Sequence, residues 1–347
     1  MTVLDRPVTS VRHDRAQRRR RGLRVTIGLG IGVFALFVLT MMVGSYFVSA
    51  MDIVTSVFHL ADNPGPDFIV RELRLPRALA AVSVGLALGV SGTVFQQMLG
   101  NPLASPDFIG ISSGASLAAV SSIVLFHVSG FEISLAALLG ALGSATLIYV
   151  IAWRDGVSGY RLILVGIGVS EFMLAIVSYL IARADLYDAR EAMHWLTGSI
   201  GQSGNRELMA LIVALIVLLP AALILNRPLR ALELGDDAAK ALGARVELSR
   251  MGLIGVSIAL VAFATAVAGP IAFVALIAGP IARRILGPAS GGILASAFVG
   301  AIIVLTADLI AQHLLPEALP TGVITGAVGA PYLIWLLATV NREGRGG

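Results

Sequence analysis

Residues 74–115, RLPRALAAVSVGLALGVSGTVFQQMLGNPLASPDFIGISSGA, decide the fold class of this chain. Two arginines and a proline open the stretch, a long apolar run without charge follows, and a polar loop with two prolines comes near its end. The apolar run is long enough to cross a bilayer as a helix. Its charged and helix-breaking ends suit a membrane surface better than a soluble core. The stretch therefore predicts a membrane-spanning helix.

The composition extends this prediction to the rest of the chain. Of the 347 residues, 57% are hydrophobic and 13% are charged, which is about half the charged fraction of soluble proteins. The apolar runs have the length of helices and lack the alternation of an outer-membrane barrel. We predict an all-α polytopic membrane protein with about ten spans: 23–50, 75–98, 107–127, 132–153, 161–183, 207–225, 248–268, 271–286, 292–314 and 322–340.

Two of these spans carry further expectations. The eighth is short and flanked by Pro270 and Pro288, so it is either a half-membrane helix or a span whose ends are poorly defined by the sequence. Small residues recur at four-residue spacing at Gly28/Gly32, Gly85/Gly89 and Gly322/Gly326, and such spacing lets helix backbones approach closely in lipid.

The basic residues predict the orientation. Residues 11–24 are rich in arginine and precede the first span, as expected of a cytoplasmic topology anchor that can also bind anionic lipid. With ten spans and a cytoplasmic start, 19 of the 25 Lys and Arg residues fall on the cytoplasmic side, which places both termini there. The predicted organisation is a basic cytoplasmic segment (1–22), a single transmembrane domain (23–341) and a short tail (342–347).

The motifs of common catalytic sites are missing from the sequence. There is no cysteine, the five histidines are mostly far apart, and neither HExxH nor GxSxG occurs. The single lysine, Lys240, follows no glycine-rich loop, so this chain has no Walker A site for ATP. We therefore predict a non-enzymatic transport protein without a bound cofactor or metal, and any ATP that drives it would bind another subunit.

Two acids lie within apolar spans and have two interpretations each. Glu171 could line a pathway or cap a neighbouring helix, and Asp308 could be functional or make a structural hydrogen bond. If either acid coupled transport to an ion gradient, the chain would be a secondary transporter, which is the alternative from another functional class.

Two polar segments suit contacts with partner proteins. Gly235 and Gly243 bracket DDAAKAL, a short amphipathic helix that fits a groove on a cytoplasmic partner, or forms part of an ordinary solvated loop. Arg74 and Arg77 share one face of a helix around Pro76. They can receive carboxylates of an arriving protein or ligand, or extend to the interface as snorkelling side chains.

Several long motifs occur in an order that carries a family resemblance. They are RLPR (74–77), NPLASPDFIGISSGA (101–115), HWLTGS (194–199), LGDDAAKALGA (234–244), GPIAFVALIAGPIARRILG (269–287), TAD (306–308) and LPTGVITGAVGAPYLIWLL (319–337). With these motifs the chain resembles the FecCD-type permeases of ABC importers for iron-siderophores, haem and cobalamin. The resemblance covers nearly everything after about residue 70.

The resemblance implies a cobalamin-importer-like (type II ABC importer) permease fold that dimerises around a central path in the bacterial inner membrane. Two ATPase subunits would dock from the cytoplasm, and a substrate-binding protein would dock from outside. It implies docking of the binding protein at the positions of Arg74, Arg77 and Gln312. It implies contact with the ATPase at Leu234, Gly235, Asp236, Asp237, Ala238, Lys240, Leu242 and Gly243. The path would be lined by Gln96, Asn101, Pro102 and Pro106, with Glu171 as a further candidate.

The chain departs from the family pattern at two places. Gly279-Pro280 stands where many members carry Pro-His, and Gln312 stands where some carry a third outer arginine. Because losing that cation would weaken one salt bridge to the binding protein, we expect a heterodimer whose other permease keeps the stronger contact. Siderophore importers often pair two permeases, so we expect a ferric siderophore as substrate, with haem or cobalamin as alternatives.

Overall fold

The computed structural model describes residues 8–60, 63–153, 159–201, 204–232, 235–241, 243, 245–287 and 292–343. This described part of the chain is helical and contains no strand. Its helices are α1 (Val8–Met42), α2 (Ala50–Val57), α3 (Pro64–Phe68), α4 (Leu75–Leu99), α5 (Ile111–Phe126), α6 (Phe131–Ala152), α7 (Gly159–Arg183), α8 (Leu186–Thr197), α9 (Asn205–Leu232), α10 (Asp236–Ala241), α11 (Val246–Ala268), α12 (Val274–Leu286), α13 (Ile293–His313) and α14 (Thr321–Glu343). A π-helical turn (Ile69–Arg74) leads into α4, and a 3₁₀ turn (Pro106–Ile109) leads into α5.

Each predicted span overlaps a helix, so the prediction of an all-α membrane protein is confirmed. The first predicted span is too long, because α1 ends at Met42 and not at residue 50. Within the described residues, seven helices are long and apolar enough to cross a membrane, and α5 and α14 contain shorter apolar stretches. The eighth span is α12, which has 13 residues and a length of about 20 Å. Of the two alternatives for this span, the half-membrane helix is therefore the one present.

Short helices occupy the segments that the sequence left as connections. Helices α2 and α3 lie between α1 and α4, and α8 lies between α7 and α9. Ser49 caps α2 by accepting a hydrogen bond from the amide of Asp52 at 3.1 Å. The hydropathy pattern missed these helices because they are shorter than a span. Ala192 and Trp195 anchor α8 on the bundle, where both side chains are buried.

Helix α4 lies at the centre of the bundle and packs against α9, α11, α12 and α13. Glycines bring its backbone into direct contact with α13: a Cβ on Gly89 would lie 2.2 Å from the carbonyl oxygen of Ser296, and one on Gly85 2.5 Å from Cα of Ala301. The small-residue prediction is thus confirmed for α4. Within the described residues, nothing lies within 4 Å of a Cβ added to Gly28 or Gly326, so for these two glycines it stays a prediction.

Replacing Gly89 by alanine tests this contact. We expect Gly89→Ala to destabilise the protein by about 1–3 kcal/mol, because the added methyl group overpacks against backbone that cannot yield. The matched control is Gly143→Ala in α6, where a Cβ would meet nothing within 4 Å. This control should be neutral or up to about 1 kcal/mol more stable, since alanine favours helix. Unfolding in a denaturing-detergent titration measures both, and equal effects would contradict the close packing.

Candidate functional site

Most of the described residues singled out from the sequence lie near one of the two ends of α4. Arg74 and Arg77 lie at its first turn, close to the end of α1 and to α13. Gln96 lies in its last turn, close to α12 and to the residue that precedes α10. We name these regions the Arg77 end and the α10 end of the bundle.

A buried ion pair dominates the Arg77 end. Arg77 binds Asp308 of α13 through two parallel hydrogen bonds, Nε to Oδ2 and Nη2 to Oδ1, both 2.8 Å long. Asp308 also accepts a hydrogen bond of 2.7 Å from the hydroxyl of Thr321, the first residue of α14. Its side chain is 2% exposed, against 27% for that of Arg77. Of the two interpretations of Asp308, the structure therefore shows the structural hydrogen bonds: this acid links α4, α13 and α14.

Arg74 has a different partner from Arg77. Its Nη1 donates to the carbonyl oxygens of Met41 at 2.7 Å and Met42 at 3.0 Å, and its Nη2 donates to that of Tyr46. The last carbonyls of a helix lack partners within the helix, and a cation there also complements the helix dipole. Arg74 therefore caps the end of α1.

Both arginines nevertheless line one polar cavity of about 510 Å³. Its wall also includes Gln312, whose Nε2 donates to the carbonyl of Leu319 at 3.3 Å. The three residues expected at the docking site for a binding protein are thus brought together. Each also contacts other parts of this chain, so their docking role stays a prediction.

A second cavity, of about 540 Å³, lies at the α10 end. It is lined by Gln96, Asn101 and Pro102, three of the expected path residues, and by Gly235 and Arg283. Gln96 is 2% exposed and is held at both ends of its amide. Its Nε2 donates to the carbonyl of Leu276 at 2.8 Å, and its Oε1 accepts from Nη2 of Arg283 at 3.0 Å. Gln96 therefore belongs to the wall between α4 and α12.

The loop between α4 and α5 places the remaining proline of the path prediction. Asn101 and Pro102 are exposed, whereas Pro106 is buried. Asp107 organises the turn, because its Oδ1 accepts a hydrogen bond of 2.6 Å from the hydroxyl of Ser112. The loop thus presents its Asn-Pro tip and buries Pro106 within the fold.

The expected short helix at the coupling segment is present as α10. Gly235 and Gly243 flank it with φ angles of 95° and 80°, in the left-handed region that glycine adopts freely. Ala239 is fully buried and attaches the helix to the bundle, whereas Asp237 and Lys240 are exposed. Ala238 is half-buried. Leu234, Leu242 and the side chain of Asp236 lie outside the described residues.

Glu171 stands apart from the other expected path residues. It lies on an exposed, otherwise apolar face of α7, with Ile167 and Leu174 one turn away on either side. Within the described residues, no group of three His, Asp or Glu side chains that could hold a metal ion comes together. Sequence reasoning missed Arg283 and Thr321 as partners of site residues, although both lie in quoted motifs, because a motif does not show which side chains meet.

Comparisons with known proteins agree with the architecture. The chain matches the FecCD transport family over residues 32–339. It is 43% identical to the ferric enterobactin transport system permease protein FepG of Escherichia coli over 79% of this chain and 84% of the relative. It is 39% identical to the achromobactin transport system permease protein CbrC of Dickeya dadantii over 90% of each. An inward-facing structure of a metal-chelate type ABC transporter superposes with a TM-score of 0.80 at 28% identity, covering 91% of this chain and 99% of that one.

These matches define a class: membrane permease subunits of ABC importers, which are transport subunits and not catalytic ones. Within that class, the chain belongs to the FecCD transport family. The resemblance drawn from its motifs is thereby confirmed.

Removing one partner of the buried ion pair should be costly. We expect Arg77→Gln to destabilise the protein by about 3–5 kcal/mol, because it leaves the buried carboxylate of Asp308 without its counter-charge. Asp308→Asn should cost less, since the guanidinium that it leaves unpaired is 27% exposed. The double variant Arg77→Met/Asp308→Leu should recover most of this loss, since an apolar pair leaves no charge uncompensated. Glu247→Gln is the control, because its partner Arg250 lies 3.7 Å away and Glu247 is 57% exposed. It should change stability by less than about 1 kcal/mol. Additive single effects in a denaturing-detergent titration would contradict a coupled pair.

Proposed function

We propose that this chain forms half of the membrane path of an ATP-driven importer for ferric siderophores. The observation that carries the proposal is the shared cavity at the α10 end, where three path residues adjoin Gly235, the residue before the coupling helix. A movement of α10 would thereby reach the wall of the path directly. Each chemical part of the proposal has its own support.

The first part is the contact with an ATPase. Ala239 anchors α10, and Asp237 and Lys240, three residues apart, leave one polar side of the helix free for a groove on another protein. This chain has no nucleotide-binding motif of its own. We therefore assign ATP binding and hydrolysis to two partner subunits that dock on α10. Their cycle would alternate access to the path between the two sides of the membrane.

The second part is a dimer with another permease. Glu171 lies on the exposed apolar face of α7, and an acid facing lipid near the bilayer centre costs about 2.5–3.5 kcal/mol or more. Covering this face with a second permease, with Glu171 directed into a water-filled path between them, removes that cost. We propose a heterodimer, because Gln312 stands where some members of the family carry an arginine.

The third part is the substrate-binding protein, for which the Arg77 end offers a polar cavity with two arginines. In the proposed orientation the basic start of α1 lies in the cytoplasm, so this cavity opens on the outer side of the inner membrane. The names of FepG and CbrC link relatives of this chain to enterobactin and achromobactin, which supports a siderophore as cargo. Haem is the alternative, since a hemin permease of Yersinia pestis is 33% identical. Cobalamin is a further alternative within the family.

The ion-coupled secondary transporter is less well supported. Its coupling acid must gain and lose a proton or ion during transport, whereas Asp308 is held by the two hydrogen bonds of Arg77 and by Thr321. Glu171→Gln separates the two mechanisms, because ion coupling through that acid would be abolished, whereas ATP-driven import would continue.

Purification from the host in mild detergent, followed by mass spectrometry, tests the assembly. We expect an ATPase and a second, similar permease to stay bound. Recovery of the ATPase with this permease alone would replace the heterodimer by a homodimer. Absence of an ATPase, together with uptake that follows an ion gradient, would refute the proposed function.

Reversing the charges of α10 should detach the ATPase. We expect Asp237→Arg/Lys240→Glu to lower the amount of ATPase that co-purifies by at least about tenfold, because both changes put like charges against the partner. The control is Glu132→Lys, an exposed reversal at the Arg77 end. Unchanged recovery with the α10 variant would place the ATPase contact elsewhere.

Restoring an arginine at position 312 should strengthen docking of the binding protein. We expect Gln312→Arg to tighten its association by up to about fivefold, as one rim salt bridge would, and the gain should shrink in high salt. Gln312→Met, which adds no charge, should not tighten it. Binding of the purified binding protein to the complex in nanodiscs measures both, and equal affinities would contradict a docking role for this position.

A further inference from the structure

Proline removes one hydrogen bond from the short helix α12 at a buried position. Pro280 lies within α12 and has no amide hydrogen, so the carbonyl of Leu276, four residues earlier, lacks its α-helical donor. Leu276 is 7% exposed, so solvent has little access to replace that donor. An unpaired carbonyl at such a position costs about 1–3 kcal/mol. The break therefore needs a partner from elsewhere in the protein.

Gln96 of α4 is that partner. Its Nε2 donates to the carbonyl of Leu276 at 2.8 Å, across 180 residues of sequence. Its Oε1 accepts a hydrogen bond of 3.0 Å from Arg283, one turn beyond the break. The side-chain amide of Gln96 thus binds α12 on both sides of Pro280, at the carbonyl of Leu276 and at the guanidinium of Arg283.

The residue before the proline makes this contact possible. A Cβ on Gly279 would lie 2.5 Å from Oε1 of Gln96 and 2.8 Å from Oγ1 of Thr93. The two helices also touch one turn further along, where a Cβ on Gly92 would lie 1.8 Å from the carbonyl oxygen of Ala275. The Gly279-Pro280 pair therefore does two things. Its proline removes a helix hydrogen bond, and its glycine admits the side chain that replaces it.

We propose that Gln96 is a positioning residue that closes a joint in α12 at Pro280. The segment beyond the joint, 281–286, carries Arg283, which lines the cavity next to Gly235. Arg284 of the same segment stacks on Trp335 of α14, with 4.7 Å between its Cζ and the ring centroid. Because α12 lacks one helix hydrogen bond at Pro280, bending this segment there costs less than bending an uninterrupted helix. The proposal rests on the proposed function in one respect, that movement arrives from the ATPase through α10.

Hydrogen exchange of the segment 281–286, followed by mass spectrometry of the complex in nanodiscs, tests the joint. Without nucleotide, we expect exchange in Gln96→Leu to be at least about tenfold faster than in the wild type, because the carbonyl of Leu276 loses its donor. Adding Pro280→Ala restores a helix amide to that carbonyl. The double variant should therefore return to within about threefold of the wild type. If it exchanges as fast as Gln96→Leu alone, Gln96 does not replace the missing bond.

The same segment should respond to the nucleotide state. With ATP and vanadate, we expect exchange of 281–286 in the wild type to rise at least about threefold over the nucleotide-free complex. Pro280→Ala should abolish the rise, because it makes the helix continuous. Pro220→Ala, at an exposed proline within α9, is the matched control and should keep the rise.

The outcomes separate the two proposals. An equal rise in Pro280→Ala and in the wild type would overturn the joint, as would the absence of any rise in a complex that traps vanadate. If no ATPase accompanies the chain, the proposed function fails. The exchange of Gln96→Leu and of its double variant then still decides whether Gln96 closes the break.

Discussion

In a bilayer the protein itself must supply a partner for every buried charge and every unpaired backbone group. This constraint explains the interactions that link distant parts of the chain. Asp308 in α13 is neutralised by Arg77 of α4. The end of α1 is capped by Arg74, and the carbonyl that Pro280 leaves without a donor is bound by Gln96. All three donors project from α4 or the turn before it.

The central position of α4 follows from its small side chains. Gly85 and Gly89 let the backbone of α13 approach, and Gly92 does the same for α12. Tight contact of this kind replaces the hydrophobic effect, which does not drive helices together in lipid. Helix α4 also runs between the two cavities: its first turn lines the cavity at the Arg77 end, and its last turn lines the cavity at the α10 end.

Sequence and structure agree where one segment is enough to decide. Each predicted span overlaps a helix, α12 is short, and α10 lies between two glycines with positive φ. They differ where the outcome depends on a neighbour. Gly28 and Gly326 occur at the same spacing as Gly85 and Gly89, but among the described residues nothing lies within 4 Å of a Cβ added to either of them. The short helices α2, α3 and α8 lack a span-length apolar signal.

The sequence by itself determined that this chain is a helical membrane permease, because apolar length, charge bias and ordered motifs are properties of the chain read along its length. It also singled out both arginines, the short helix α10 and four of the residues around the cavity at the α10 end: Gln96, Asn101, Pro102 and Gly235. Only the tertiary structure decided which groups pair, as Arg77 does with Asp308, 231 residues away, and Gln96 with Leu276. Such pairs depend on which helix faces meet in space, and the spacing of residues along one helix does not show which other helix packs against it.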